Sequence, residues 1–458
     1  MTENPRATSS ETPSPTPAAT PPVARPDRRR RSSAQSPRRL SRRTFLGGGG
    51  GAVAGAAAVL AGGGLTAASS QSGSGAYRLG VEPFYGDHQG GIATTPQSDA
   101  YFAAFDVVAS SRGDLTDLLR TWTQAAARMS AGLPVGPPTG FAAGTEPDSG
   151  DAIGLGPCRL TVNFGFGPGL FSQDGEDRFG LASERPAALV DIPAFFGDQL
   201  LADKVGGDLT VHACADDPQV AFHAVRQLAR LGAGAARISW VQSGFNEAAV
   251  SEGTPRNLMG FKDGTINPVG RQFDEFVWVG GEGPAWMRGG TYLVVRRIRM
   301  TLEHWDTKPL EIQEAAVGRR KESGAPIGST NEFDPLDLQR LDGRGQLMIP
   351  LNSHVRVAAP ASNGGEMLLR RSYSYNDGVA QQVERWLPYE NTLLYDAGLL
   401  FCAYQRDPRR GFIPIYRNLS ENDLMAQFTE HTGSAIAALP AGVPRAGAWV
   451  GQALFGVA

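Results

Sequence analysis

A chain of 458 residues, 41% hydrophobic and 19% charged, has room for two or three domains and a substantial core. Its formal charge is −3; without the first 68 residues, which hold ten Arg and three acidic residues, 33 basic side chains stand against 43 acidic ones. That balance excludes a basic nucleic-acid-binding surface, and three widely spaced cysteines with no CxxC pattern exclude a disulfide framework or thiol zinc site.

The first 40 residues are rich in Pro, Ser, Thr and Ala, and nine Arg fall between Arg25 and Arg43, a composition too polar to bury a core. Ser41-Arg42-Arg43-Thr44-Phe45-Leu46 then precedes a weakly apolar run from Gly47 to Gly64 and small residues at Leu65-Thr66-Ala67-Ala68. Basic, apolar and small-residue regions in that order make an export signal, and the adjacent arginines indicate the twin-arginine route. The expectation is a basic arm and signal over 1–68, a flexible leader over 69–77, and export to the periplasm, cell wall or medium with the twin-arginine translocase as transient partner. The apolar run is glycine-diluted and too short for a stable span. Because that route carries folded proteins, a cofactor inserted before export is worth seeking.

Beyond the leader, Tyr101 to Val108 reads as a strand. A helix capped by Asp114 follows, with Leu115, Leu118, Leu119, Trp122, Ala126 and Met129 at helical spacing. Leu160, Val162, Phe164 and Phe166 alternate as in a half-buried strand, as do Leu209, Val211 and Ala213. Asp217-Pro218 opens a second helix through Val220, Ala224, Val225, Leu228 and Leu231, and Ile238 with Trp240 begins another strand. Two β-α-β units in succession predict a four-stranded sheet with helices on one face.

The second half repeats this pattern. Strands are expected at Phe276–Val279, Tyr292–Met300, Met367–Tyr375 and Gly398–Tyr404, and helices at Leu310–Val317 and Ser420–His431. The class is therefore α+β, in two similar halves divided as 78–255 and 256–458. The stretch Gly260-Phe261-Lys262-Asp263-Gly264-Thr265-Ile266-Asn267-Pro268 lies at their seam, where ligands tend to bind. Asp263 there is either a turn residue or a proton carrier.

Six histidines are present with neither HExxH nor HxH spacing, so a multi-histidine zinc site is not expected. A cofactor that brings four metal ligands of its own needs only one more, and a single His serves haem in this way. His212 and His223 read as structural residues, His304 and His431 as surface residues on polar helices. His354, after the apolar Leu347–Leu351, reads as either a ligand or a buried hydrogen-bonded imidazole.

Several segments resemble the dye-decolorising peroxidases. Gly260-Phe261-Lys262-Asp263-Gly264 matches their GxxDG motif, Ser353-His354-Val355-Arg356 their proximal ligand segment, and Leu369-Arg370-Arg371-Ser372-Tyr373-Ser374-Tyr375 their distal-arginine strand. Further similarity lies in Gly80–Gln89, Asn163–Gly169 and Gly398-Leu399-Leu400-Phe401. The resemblance runs from about residue 78 to the C-terminus and is nearest the twin-arginine-exported, deferrochelatase-like branch.

That resemblance implies two ferredoxin-like β-α-β domains of the dimeric α+β barrel type, with one haem b in the C-terminal half. It implies His354 as the iron ligand, Asp263 as proton shuttle and Arg370 as charge stabiliser, with Arg371 turned to the other strand face. Asp396 is expected to hold the second nitrogen of His354, or else to be a turn residue. Arg319 is expected on a haem propionate, Leu399 and Phe401 as apolar walls, and Gly264 and Thr265 as haem contacts. Hydrogen peroxide and aromatic reductants are the implied partners, with Trp386, Tyr389 and Tyr395 as candidate electron relays and a homo-oligomer compatible with the family. The competing function is haem handling for iron acquisition.

Overall fold

The computed structural model describes residues 80–136, 148–246, 253–382 and 392–456. The export signal, the leader, Trp386 and Tyr389 lie outside them.

The N-terminal half runs β1 (Asp99–Val107), α1 (Arg112–Ser130), β2 (Thr161–Phe166), β3 (Leu209–Ala215), α2 (Pro218–Leu231) and β4 (Ala236–Phe245). Its strands are antiparallel in the order β2-β3-β1-β4. Ser111, not Asp114, caps α1: its hydroxyl accepts from the Asp114 N–H at 3.1 Å, which leaves Asp114 in the first turn to favour the helix dipole. Asp217 caps α2 through the N–H groups of Gln219 and Val220, with Pro218 just inside the start. Both helices lay their apolar stripes on the sheet, where Trp122, Phe105, Phe164 and Leu228 are buried together.

β2 and β3 were expected to be half-buried, yet every residue of each is buried. The alternation separates two apolar environments rather than core from solvent. Helices cover one face, and the other turns inward onto Phe102, Cys214, Leu293, Tyr373, Leu400, Cys402 and Tyr404.

The C-terminal half contributes β5 (Thr291–Met300), α3 (Leu310–Val317), α4 (His354–Val357), β6 (Leu369–Arg370), β7 (Tyr373–Gln382), β8 (Thr392–Gln405), α5 (Phe412–Asn422) and β9 (Thr429–Leu439). Here β9 pairs with β5, β5 with β8, and β8 with β7. Fourth, first, third and second strands are thus neighbours in each half. β2 meets β9 and β4 meets β7, so the strands of both halves close into one barrel-like sheet. They belong to a single compact unit, Ala68–Ala458.

Two expected elements are corrected. Phe276–Val279 is not a strand: Gln272–Phe276 forms a helical turn, and its aromatics pack inward against the barrel. The helix expected at Ser420–His431 lies earlier, at Phe412–Asn422, and β9 begins at Thr429. Pro414 masked the true start, but it stands within the first turn, where a missing N–H costs no helical bond.

Candidate functional site

On the outer side of the C-terminal sheet lies a cavity of about 620 Å³ walled by β5, β8, α3, α4, α5 and the Asp263 loop. Its apolar lining includes Met259, Phe261, Ile298, Met300, Leu399 and Phe401; its polar lining includes Asp263, Gly264, Thr265, Arg319, His354 and Arg370. Alternation explains the walls. On β8, Leu399 and Phe401 face the cavity, while Leu400 and Cys402 face the barrel interior.

Asp263 is positioned by local backbone chemistry. Its N–H donates to Pro255 O at 2.9 Å, and Gly260 and Gly264 flank it with φ of 84° and 107°, values that a side chain strongly disfavours. The Arg370 Nη1 lies 3.4 Å from Asp263 Oδ1, and its Nη2 donates to Ile266 O at 3.0 Å. Asn267 clamps the Arg370 backbone on both sides, donating to its carbonyl at 2.9 Å and accepting from its N–H at 3.0 Å. Turn and arginine strand are therefore one unit, and each of the two side chains retains 25% exposure toward the cavity. Arg371 turns the opposite way. It is buried and donates to Thr94 O and Gln97 Oε1.

His354 opens α4, and its Nδ1–H donates to Asp423 Oδ2 at 2.6 Å. Burial opposes protonation of the ring, but the Asp423 charge and hydrogen bond outweigh it and hold the imidazole above its ordinary pKa. Asp423 is itself fixed, its Oδ1 accepting the Met425 N–H at 2.8 Å.

The expected partner, Asp396, is elsewhere. It accepts from Arg297 Nη2 at 2.7 Å and is absent from the cavity wall. The reason is strand parity: Asp396 is three residues from Leu399, so its side chain leaves β8 on the face of Leu400. Asp423 escaped notice because it follows a misplaced helix and looks like a routine cap.

Arg319 is 4% exposed; its Nη1 donates to Gly324 O at 2.7 Å and Glu332 O at 2.9 Å. Burial lowers its pKa, Glu332 working against that shift, and among the described residues it has no ion pair. Thr265 carries a buried hydroxyl without a partner among the described residues.

The remaining histidines divide differently from expectation. His212 is buried on β3, with Nδ1 2.9 Å from the Tyr404 hydroxyl. His223 lies between Asp151 at 2.9 Å and Asp148 at 3.4 Å. His431, expected at the surface, is buried on β9 and accepts from Arg296 Nε at 2.9 Å. His304, also expected there, stacks obliquely on Phe428 at 4.9 Å. Tyr395 is 50% exposed.

An apolar cavity with one carboxylate-held imidazole and a carboxylate–guanidinium pair has the donor set of a haem peroxidase: the macrocycle brings four metal ligands, and one nitrogen remains for the protein to supply. Residues 89–246 match the Dyp-type peroxidase N-terminal domain and residues 254–444 the Dyp-type peroxidase C-terminal domain. The chain is 40% identical over 357 residues to a dye-decolorizing peroxidase of Thermobifida fusca, covering 76% of this chain and 77% of that protein. It is 37% identical over 388 residues to a deferrochelatase of Escherichia coli, covering 82% and 88%. Among solved structures, an oxyferrous/water mixed complex of DtpA from Streptomyces lividans superposes with a TM-score of 0.74 at 41% identity, covering 83% of this chain and 98% of that one. The chain belongs to the Dyp-type peroxidase family and is a peroxidase.

Proposed function

We propose that the protein is a haem b peroxidase, with one haem per chain, that uses H2O2 to oxidise bulky aromatic compounds such as dyes and phenolics. The observation that carries this reading is one cavity bringing together His354 on Asp423 and Arg370 on Asp263. Haem is held in the C-terminal of two ferredoxin-like halves, 78–255 and 256–458. The matching strand order of the two halves and their separate family matches support that division.

The donor set fits the group. With Nδ1 committed to Asp423, His354 has Nε2 for iron, and the carboxylate raises its basicity as a ligand. Arg319 supplies a buried cation, with no ion pair among the described residues, for a propionate, and Leu399, Phe401, Ile298 and Met300 provide apolar walls. Gly264 and Thr265 complete the contact from the Asp263 loop.

Bound haem supplies the iron at which the O–O bond of peroxide is broken. Asp263 takes the proton from the inner peroxide oxygen and delivers it to the outer one, a transfer worth about 10²–10⁴ in rate. The Arg370 guanidinium, always charged, opposes the negative charge that develops on the departing oxygen. Its tether to Asn267 and Ile266 keeps that cation in place before reaction.

Haem handling for iron release is the alternative role within this family. It requires His354 but has no use for an Asp263–Arg370 pair, so the pair favours peroxidase chemistry. Steady-state dye oxidation by the purified holoprotein tests the reading: turnover dependent on peroxide and on Asp263 supports it, whereas haem binding without turnover contradicts it. Export by the twin-arginine route to the periplasm, wall or medium is part of the same proposal and rests on Ser41–Leu46 with the weakly apolar run after it. No helix among the described residues is long and apolar enough to cross a membrane.

A further inference from the structure

Six residues before Asp263, Asn257 belongs to the loop that carries it. Both line the main cavity and a second, adjoining one of about 260 Å³.

Asn257 builds its own turn with every hydrogen-bonding group except one. Its N–H donates to Phe261 O at 2.9 Å, and its carbonyl accepts from the Gly260 N–H at 2.9 Å. Its side-chain Oδ1 accepts from the N–H groups of Met259 at 3.1 Å and Phe261 at 3.3 Å. Two backbone donors at one end of the amide fix which end is oxygen, so the NH2 group points the other way. There Nδ2 lies 3.5 Å from Asp263 Oδ2.

The two oxygens of Asp263 are thus approached from two sides, Oδ1 by Arg370 Nη1 at 3.4 Å and Oδ2 by Asn257. Both contacts are long. Short charge-assisted bonds would make the carboxylate a poor proton acceptor, whereas long ones that tighten as the reacting group arrives suit a residue that takes a proton and gives it back. Because Asp263 borders two cavities, a carboxylate with a single hold is free to turn out of the larger one. Two holds fix its plane.

We propose that Asn257 is a positioning residue for the peroxide reaction: its NH2 group, which the turn does not need, holds Asp263 Oδ2 and keeps the carboxylate aligned with Arg370 in the main cavity. The proton moves through Asp263 alone, and the amide stays neutral throughout. A donor to a carboxylate also favours its charged form, so losing this one should leave Asp263 protonated to higher pH. The proposal rests on the proton-shuttle role given to Asp263 above.

Asn257→Asp keeps an oxygen for the Met259 and Phe261 N–H groups and replaces the donor with a like charge. Asn257→Ser keeps a short acceptor suited to a turn but does not reach Asp263. Stopped-flow mixing of each haem-loaded protein with H2O2 across pH, followed at the Soret band, measures the effect. In both variants the acid limb of the rate profile is expected to move up, by about one pH unit in Asn257→Asp, with an unchanged resting Soret band. On that limb the rate constant should fall about tenfold. The other charged groups around Asp263 are Lys262 of its own loop, Arg319 after α3, His354 of α4 and Arg370 of β6 in the main cavity, with Arg256 and Arg371 in the smaller one; all are retained in both variants. Infrared difference spectra of the resting holoprotein give a readout without turnover: the protonated-carboxyl band that Asp263→Asn lacks should appear at higher pH in Asn257→Ser than in the wild type. If Asn257→Asp does not accumulate as holoprotein, Asn257→Ser decides on both readouts. An acid limb and a carboxyl band that stay at their wild-type pH, with or without a loss of stability, overturn the proposal and reduce Asn257 to a turn residue, leaving the peroxidase reading intact. A wild type that does not react with peroxide fails that reading first.

Discussion

Replacing Asp423 by Asn tests what orients the proposed iron ligand. The carboxylate accepts from His354 Nδ1–H at 2.6 Å, a short charge-assisted bond. Hydrogen bonds to charged groups contribute about 1.5–3 kcal/mol and neutral ones about 0.5–1.5 kcal/mol, so an isosteric amide forfeits roughly 1–1.5 kcal/mol. At about 1.4 kcal/mol per decade, haem affinity should fall about tenfold, the lower edge of the range for outer partners of metal-bound histidines. Asn offers one oxygen where the carboxylate offers two, so with that oxygen on His354 Nδ1–H the Met425 N–H loses its side-chain acceptor. Haem titration of the apoprotein, followed at the Soret band, measures the change. Asp396→Asn is the matched control: its carboxylate belongs to Arg297, together with Asp377, and the titration should not move. An Asp396→Asn effect with an inert Asp423→Asn would refute the reasoning.

Asp263→Asn should lower kcat/KM for peroxide by about 10²–10⁴, with the Soret band retained, in stopped-flow mixing. Arg370→Leu should cost about 10²–10³ in the same assay, whereas Arg371→Leu should act on stability because that cation is buried away from the cavity. For pH, burial and the charge of Arg296 hold His431 neutral, well below its ordinary pKa. The unfolded chain therefore binds a proton that the folded chain refuses. Stability is fully present above the unfolded value of about 6.5 and declines as pH falls from there toward the folded pKa, with a slope of at most about 1.4 kcal/mol per pH unit. Urea unfolding of the holoprotein between pH 7.5 and 5 should show this loss relative to His431→Gln, and parallel profiles would contradict it.

Much of the first half was legible because its helices sit on one face of a sheet, which leaves a clean helical period and a capping residue at each start. The apolar alternation of β2 and β3 was read correctly for position but not for environment, since a closed sheet offers no solvent face. β9 was missed for a different reason: its Thr-Gly-Ser-Ala-Ile-Ala-Ala core has little intrinsic strand preference, and burial between β5 and β2 decides its conformation. That error carried His431 to the surface and hid Asp423. Asp263, His354 and Arg370 stand out only through motifs that resemble a known family, since the residues alone leave a turn aspartate and a buried imidazole open; the structure brings the three to one cavity. Asp396 is the instructive failure, since counting residues along β8 from Leu399 was enough to turn it away.

In the proposed function one imidazole, at position 354, holds the haem in this cavity. Absorbance spectra of purified wild type and His354→Ala after identical haem reconstitution test it most directly. The wild type is expected to show a Soret band that changes on adding peroxide, and His354→Ala a free-haem spectrum. A colourless wild type, or an unaltered bound-haem spectrum in His354→Ala, would contradict it.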